Sequence, residues 1–244
     1  MNEAKHLDVA GFVIHVGSET ERRKHMDGQM KKTRIHFTYM LDGDKKDLSP
    51  EILEWHFHGR MKTVCAETSC AYKHILAYRD MVEKNLPYGL IVEDDIFLHP
   101  DFDTALANAM EEISRGNIKN FLLSLEDSLM RYVEHRRRKK GVTVYKQEDG
   151  EGRCAGAYLI DLECARTLMR EILEKRCDMT IDWFHTHCAK NGLIGYYWLH
   201  PTIATQGSHN GKMASLLSDK TGTVARRLSV GLQKMYKKIL FRLR

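Results

Sequence analysis

The chain lacks any apolar stretch approaching the length of a membrane span. Its opening residues, Met1 to Asp8, lack the apolar core of a signal peptide, so the expected compartment is the cytosol. The six cysteines, Cys65, Cys70, Cys154, Cys164, Cys177 and Cys188, form no CxxC pair and no zinc-like spacing, and reduced, mostly buried thiols are expected. There is no internal repeat and no low-complexity segment. The turn Gly17-Ser18 lacks both GxGxxG and GxxxxGK[ST], which leaves a Rossmann or P-loop assignment unsupported, although a helix N-terminus there could still hold phosphate.

The body also lacks excess positive charge. The net charge is +5, but seven basic residues and no acid lie in residues 226–244, leaving residues 1–225 at −2. A nucleic-acid-binding body would carry its own basic face. What remains is 244 residues with 43% hydrophobic content, enough for one α/β domain with a small appendage. We divide the chain into a body, 1–225, and a basic tail, 226–244. In the tail Leu228, Leu232, Met235, Ile239 and Leu243 recur at three- to four-residue steps among basic side chains, the pattern of an amphipathic helix on an anionic bilayer.

Strand and helix patterns alternate along the body, which predicts a layered α/β sheet. Strands are expected at Asp8–Val16, Ile35–Met40, Leu90–Val92, Phe121–Leu125, Val142–Tyr145, Ala155–Ile160 and Ile194–Trp198. Helices are expected at Glu19–Met30, with Ser18 and Glu21 as a capping box, from Pro50, at Thr63–Asn85, at Phe102–Ile113 and at Leu162–Lys175. Arg136–Gly141 reads as a basic hairpin tip, and Gly207–Thr223 as a flexible loop.

One stretch points to chemistry. Leu90-Ile91-Val92 reads as a buried strand that runs into Glu93-Asp94-Asp95. Adjacent carboxylates at a buried strand end repel one another and lose hydration. A divalent cation relieves both costs, and hard oxygen ligands suit Mg2+ or Mn2+, which can bridge to nucleotide phosphates. A solvated acidic loop is the competing reading. Strand alternation points Asp94 away from Glu93 and Asp95.

Several ordered segments resemble glycosyltransferase family 25, the family of bacterial lipooligosaccharide galactosyltransferases. They are Phe12-Val13-Ile14-His15-Val16 with Thr20-Glu21-Arg22-Arg23, then Glu67-Thr68-Ser69-Cys70-Ala71-Tyr72-Lys73-His74, and then Leu90 to Asp95. Gly156-Ala157-Tyr158-Leu159-Ile160, Asp182-Trp183-Phe184 and His200-Pro201 through Gln206 follow in order. Ser69 and Lys73 depart from the family's Glu-x-Gly-Cys-x-x-Ser-His segment, and His15 stands where the family often has Asn.

The resemblance implies a GT-A-like, mostly parallel sheet flanked by helices, with the nucleotide-sugar at the carboxyl ends of the strands. It implies inverting transfer of a sugar, galactose from UDP-galactose, to a lipooligosaccharide or lipopolysaccharide glycan, with Mn2+ or Mg2+ on the diphosphate. Asp95 is then the leading metal ligand. Glu93 contacts the donor or reaches the metal through water, and His209 is a candidate third ligand, set against an exposed loop histidine. Arg22 or Arg23 offers a planar fork to the diphosphate, set against a solvated helix face.

Asp182 is the candidate general base, with Trp183 and Phe184 as stacking rings. A helix-capping aspartate above core aromatics is the alternative, and Asp178 is the neighbouring competitor. His74 shares a helix face with Glu67 and Cys70 and could bond a backbone group near the donor, set against a buried structural histidine, while Cys70 reads as core. The His-x-His pairs His56/His58 and His185/His187 have no partners in register for zinc.

A peripheral position on the inner face of the membrane, through 226–244, fits a lipid-linked acceptor. A metal-dependent phosphoesterase or nuclease, and a non-catalytic glycan-binding protein, are the other classes the sequence admits.

Overall fold

The computed structural model describes residues 8–128, 131–210 and 213, with His209 and Asn210 described by their backbone alone. The expected basic helix at 226–244 lies outside the described residues. In chain order the regular elements are β1 (Ala10–Ile14), α1 (Thr20–Met30), β2 (Phe37–Met40), α2 (Pro50–His56), α3 (Ala66–Glu83), β3 (Tyr88–Glu93), β4 (Ile96–Leu98), α4 (Phe102–Arg115) and β5 (Phe121–Ser124). Then follow β6 (Val144–Lys146), β7 (Ala157–Asp161), α5 (Leu162–Lys175), α6 (Ile181–Lys190), β8 (Gly195–Leu199), β9 (Ala204–Gln206) and the single turn α7 (Gly207–Asn210).

Seven strands form one sheet in the order β2-β1-β3-β7-β5-β8-β6. β2, β1 and β3 run parallel, as do β5 and β8, while β7 lies antiparallel between β3 and β5, and β6 closes the far edge antiparallel to β8. This is the mostly parallel, helix-flanked α/β architecture expected. The inner strands are apolar on both faces, as a sheet covered by helices requires. Ile91, Tyr158 and Ile160 pack under α3 and α5, whereas Leu90, Val92 and Leu159 pack with Leu106 and Ala109 of α4 on the opposite face. Gly89 lets α3 approach, because a Cβ there would sit 2.3 Å from Met81 Sδ. No helix among the described residues is long and apolar enough to cross a membrane.

The carboxyl ends of β1, β2, β3, β5 and β8 share one edge, and β7 begins at that same edge. The small sheet of β4 and β9 sits beside it, with Ile96 opposite Gln206. This pairing brings the chain after residue 200 back to the exit of β3.

Four local expectations are corrected. Ser18 does not cap α1: Glu19 occupies the N-cap position and makes no side-chain cap bond. Residues 136–141 are not a hairpin tip, since His135–Arg137 form a short 3-10 turn and β6 pairs with β8 rather than with the preceding strand. The segment from Gly207 opens as a helical turn. Ile181–Lys190, assigned no element from the sequence, is α6.

Candidate active site

At the carboxyl edge of the sheet lies a cavity of about 470 Å³. Its wall combines the exits of β1 and β3, the starts of α1, α3 and α6, the entry to β7, and Gln206 with Ser208. Arg22, Glu93, Asp95 and Asp182 all line it. His74 lies fully buried beside Glu93, with Nε2 3.8 Å from Glu93 Oε1. The side chain of His209 lies outside the described residues, although its backbone continues the turn that carries Ser208.

β3 ends at Glu93, so strand alternation stops there and the acidic triplet splays over a turn. Asp94 therefore does not point away: it lines the same cavity. Each acid takes different partners. Asp94 is clamped by His15 Nδ1 at 2.8 Å and by the Arg22 guanidinium. Glu93 accepts from Gln206 Nε2 at 3.0 Å. Asp95 accepts from the Ser208 backbone N–H at 3.0 Å through Oδ2, while its Oδ1 is buried without a hydrogen-bond partner.

An anionic oxygen left buried and unpaired is costly unless a cation takes it up. The donor set of Asp95 and Glu93, oxygen only, fits Mg2+ or Mn2+.

Arg22 thus reaches the cavity, already engaged with Asp94. Arg23 goes elsewhere, with its guanidinium 3.5 Å from the centre of the Tyr39 ring. The departures at Ser69 and Lys73 act together on the chain leaving β2. Ser69 Oγ donates to the Gly43 carbonyl at 2.7 Å. Lys73, 1% exposed, donates from Nζ to the carbonyls of Met40, Leu41 and Asp42 at 2.9–3.0 Å and pairs with Asp44 at 3.0 Å. Asp44 in turn accepts from the Gly17 N–H at 3.2 Å, tying the exits of β1 and β2 together.

His74 does not bond a backbone group. Its Nδ1 meets the Tyr158 hydroxyl at 2.7 Å, Tyr158 meets Tyr78 at 2.6 Å, and Tyr78 meets His185 Nε2 at 2.7 Å. This buried chain orients the imidazole at Glu93. Burial holds His185 well below the usual histidine range, so it sits there neutral. Cys70 packs against the core and also lines the cavity.

Glu126 carries no sequence assignment, and Gly156 and Gln206 stand in the matching segments without a role. Glu126, just beyond β5, is fully buried and accepts from the Gly156 N–H at 2.8 Å. Burial, and then the charge of Glu93, push its carboxyl well above the usual range. The Gly156 carbonyl accepts from the Glu93 N–H at 2.8 Å. A Cβ on Gly156 would stand 2.3 Å from Gln206 Nε2, so glycine leaves the space through which Gln206 reaches Glu93. The signal for Glu126 was present, since Phe121 to Leu125 also runs from an apolar strand into acids.

Residues 9–185 match the sequence profile of Glycosyltransferase family 25 (LPS biosynthesis protein). The chain belongs to glycosyltransferase family 25. It is 27% identical over 191 residues to a putative glycosyltransferase of Haemophilus influenzae, covering 74% of this chain and 62% of that protein. It is 23% identical over 221 residues to the lacto-N-neotetraose biosynthesis glycosyltransferase LgtE of Neisseria meningitidis serogroup B, covering 83% and 76%. The chain thus spans about three fifths of the first relative's length and about three quarters of the second's. Among solved structures it is similar to a glycosyltransferase involved in glycosylation of the major capsid of PBCV-1, with 9% identity, a TM-score of 0.47 and coverage of 92% and 98%.

The family match includes Asp182 but ends before Gln206 and Ser208, which hold Glu93 and Asp95. In this family 25 chain Asp182 sits in the first turn of α6 and accepts from Thr180 Oγ1 at 2.6 Å. Thr180, not Asp182, holds the N-cap position. The negative charge of Asp182, with those of Glu93, Asp94 and Asp95, helps burial raise the Cys70 thiol well above its usual range, so all four acids act on one region. The flanking aromatics do not form the expected stack: Phe184 is in the core, and Trp183, 55% exposed, is off the cavity wall. Asp178 pairs with His58 at 3.9 Å and is also off the wall.

Proposed function

We propose that this protein is a metal-dependent glycosyltransferase that moves galactose from UDP-galactose to a lipooligosaccharide or lipopolysaccharide glycan, with inversion. The observation that carries the reading is the buried, unpartnered Oδ1 of Asp95 beside Glu93 in a chain of this family. The relative named for lacto-N-neotetraose biosynthesis, and the family's description as LPS biosynthesis, support a glycan acceptor of lipopolysaccharide type. Asp95 and Glu93, with His209 from the following turn, would hold Mn2+ or Mg2+. The cation would supply charge stabilisation to the departing diphosphate.

The remaining chemistry belongs to side chains. Asp182 takes the proton from the acceptor hydroxyl as its oxygen bonds to the anomeric carbon and the bond to the diphosphate oxygen breaks. Arg22, oriented by Asp94, offers its planar guanidinium to the nucleotide diphosphate. His74 and Gln206 position Glu93 from opposite sides. Residues 226–244 would hold the enzyme against the anionic inner face of the membrane, where a lipid-linked acceptor resides.

A thermal-shift screen of nucleotide-sugars tests the donor assignment. UDP-galactose should raise the melting temperature only with Mn2+ or Mg2+ present. Equal shifts in EDTA, or a response confined to non-uridine donors, would overturn it.

A further inference from the structure

Cys70 and His74 stand one turn apart on α3, and both face Glu93 at the end of β3. Cys70 Sγ is 3.9 Å from Glu93 Oε1 and His74 Nε2 is 3.8 Å from the same oxygen, and the three donor atoms lie within 4.8 Å of one another. We propose that Cys70, His74 and Glu93 form a second cation site, selective for zinc-like borderline metals, that competes with the donor site for Glu93.

Three independent features support it. First, His74 is fully buried, and its Nε2 has no hydrogen-bond partner although it is aimed at the cluster. Second, the other ring nitrogen is fixed by the Tyr158 hydroxyl at 2.7 Å, the outer support that metal-binding histidines characteristically have. Third, thiolate, imidazole and carboxylate together suit Zn2+, whereas Mg2+ and Mn2+ favour the hard carboxylate oxygens of Asp95 and Glu93.

The spacing suits the ion. Zinc bonds of about 2.0–2.3 Å in a tetrahedron put neighbouring donors about 3.3–3.6 Å apart. The observed gaps to Glu93 therefore close with movements of a few tenths of an ångström. Cys70 and Glu93 both lie on the cavity wall, which gives the ion a path in and leaves its fourth position to water. On binding, the Cys70 S–H bond breaks, sulfur bonds to the metal, and the proton leaves to solvent.

Glu93 Oε2 is held by Gln206, and Oε1 faces Cys70 and His74. A cation bound at Oε1 competes with the donor-site cation for the Glu93 carboxylate, so Zn2+ should inhibit transfer. This consequence rests on the glycosyltransferase reading, but the binding itself does not.

The test titrates Co2+, as an optical stand-in for Zn2+, into the metal-free full-length protein. One equivalent should give a thiolate-to-cobalt charge-transfer band and tetrahedral d–d bands, both bleached by Zn2+. Cys70→Ser should lose the charge-transfer band, and Cys65→Ser should keep it. Tyr158→Phe, which removes the hydroxyl that supports His74 together with its contact to Tyr78, should weaken Co2+ binding by about 10–100-fold. Absence of the charge-transfer band in the wild type overturns the proposal, and so does its persistence in Cys70→Ser. If the band appears but no nucleotide-sugar is ever turned over, the second site stands and the transferase reading falls.

Discussion

Gln206 donates to Glu93 at 3.0 Å across 113 residues of chain. The bond exists because β9 pairs with β4, which begins directly after the acidic triplet, and because Gly156 leaves room for the amide between them. Ser208, two residues further on, fixes Asp95 through its backbone. Glu93 and Asp95 are thus oriented by a late segment, while Asp94 is held by His15 and Arg22 from the first strand exit and α1.

Gly156→Ala tests that arrangement. The new Cβ would overlap the end of the Gln206 side chain, which must rotate away from Glu93. A stability loss of about 1–3 kcal/mol is expected, as for overpacking elsewhere. Activity should fall further than stability alone explains. Urea denaturation with parallel assays checks this, and a variant with wild-type activity per folded molecule would contradict the role given to Gln206.

Asp182→Asn should lower the transfer rate by about 10²–10⁴-fold, the usual loss for a positioned base, with little change in donor affinity. Single-turnover kinetics with saturating donor separate the two quantities. Collapse of donor binding with a normal rate per bound donor would make Asp182 a donor contact instead.

Glu126 gives a pH prediction. Its folded-state pKa is raised well above the ordinary 4.5. The native state therefore binds the proton more tightly than the unfolded chain does, and the group's contribution to stability is complete below about pH 4.5 and is lost as pH rises through the folded value. Glu126→Gln keeps an acceptor for the Gly156 N–H and removes the titration. Its melting temperature should gain on that of the wild type as pH rises above 4.5. Parallel profiles would show that Glu126 does not carry the raised pKa.

The basic tail makes the last local prediction. Full-length protein should pellet with anionic vesicles, and a chain ending at residue 225 should not. Each basic residue near such a surface contributes about 1 kcal/mol and is screened by salt, whereas the apolar stripe adds a part that resists salt. Equal pelleting of the two proteins would rule the tail out as an anchor.

Much of the fold was legible because its central elements carry strong periodic signals. β1, β3, β5 and β7 are apolar runs, and α3 and α5 repeat their apolar residues at helical spacing, with Leu162–Lys175 found at its observed limits. α6 was missed because Ile181–Lys190 is short and interrupts its apolar face with His185, Thr186 and His187, and the burial of His185 depends on a tertiary partner, Tyr78. β4 and β9, three residues each, carry too little pattern to register.

At the site, the triplet, Arg22, His74 and Asp182 were legible as chemistry in an unusual context. Their pairing was not. Lys73 on a helix reads as a solvated residue until the carbonyls of Met40, Leu41 and Asp42 are seen around it. Asp94 was misdirected because alternation was extended one residue past the end of its strand.

The central claim is that Asp95 presents an anionic oxygen to a cation that the donor diphosphate needs. The most direct measurement is the rate of galactose transfer from UDP-galactose with Mn2+, for wild type and Asp95→Asn, each with and without excess EDTA. The substitution keeps the side chain's shape and an oxygen to accept from the Ser208 N–H, but removes the charge. The account predicts robust wild-type transfer that EDTA abolishes and Mn2+ restores, and no transfer above background by a folded Asp95→Asn at any Mn2+ concentration. Full activity of Asp95→Asn, or wild-type transfer undiminished in EDTA, would contradict it.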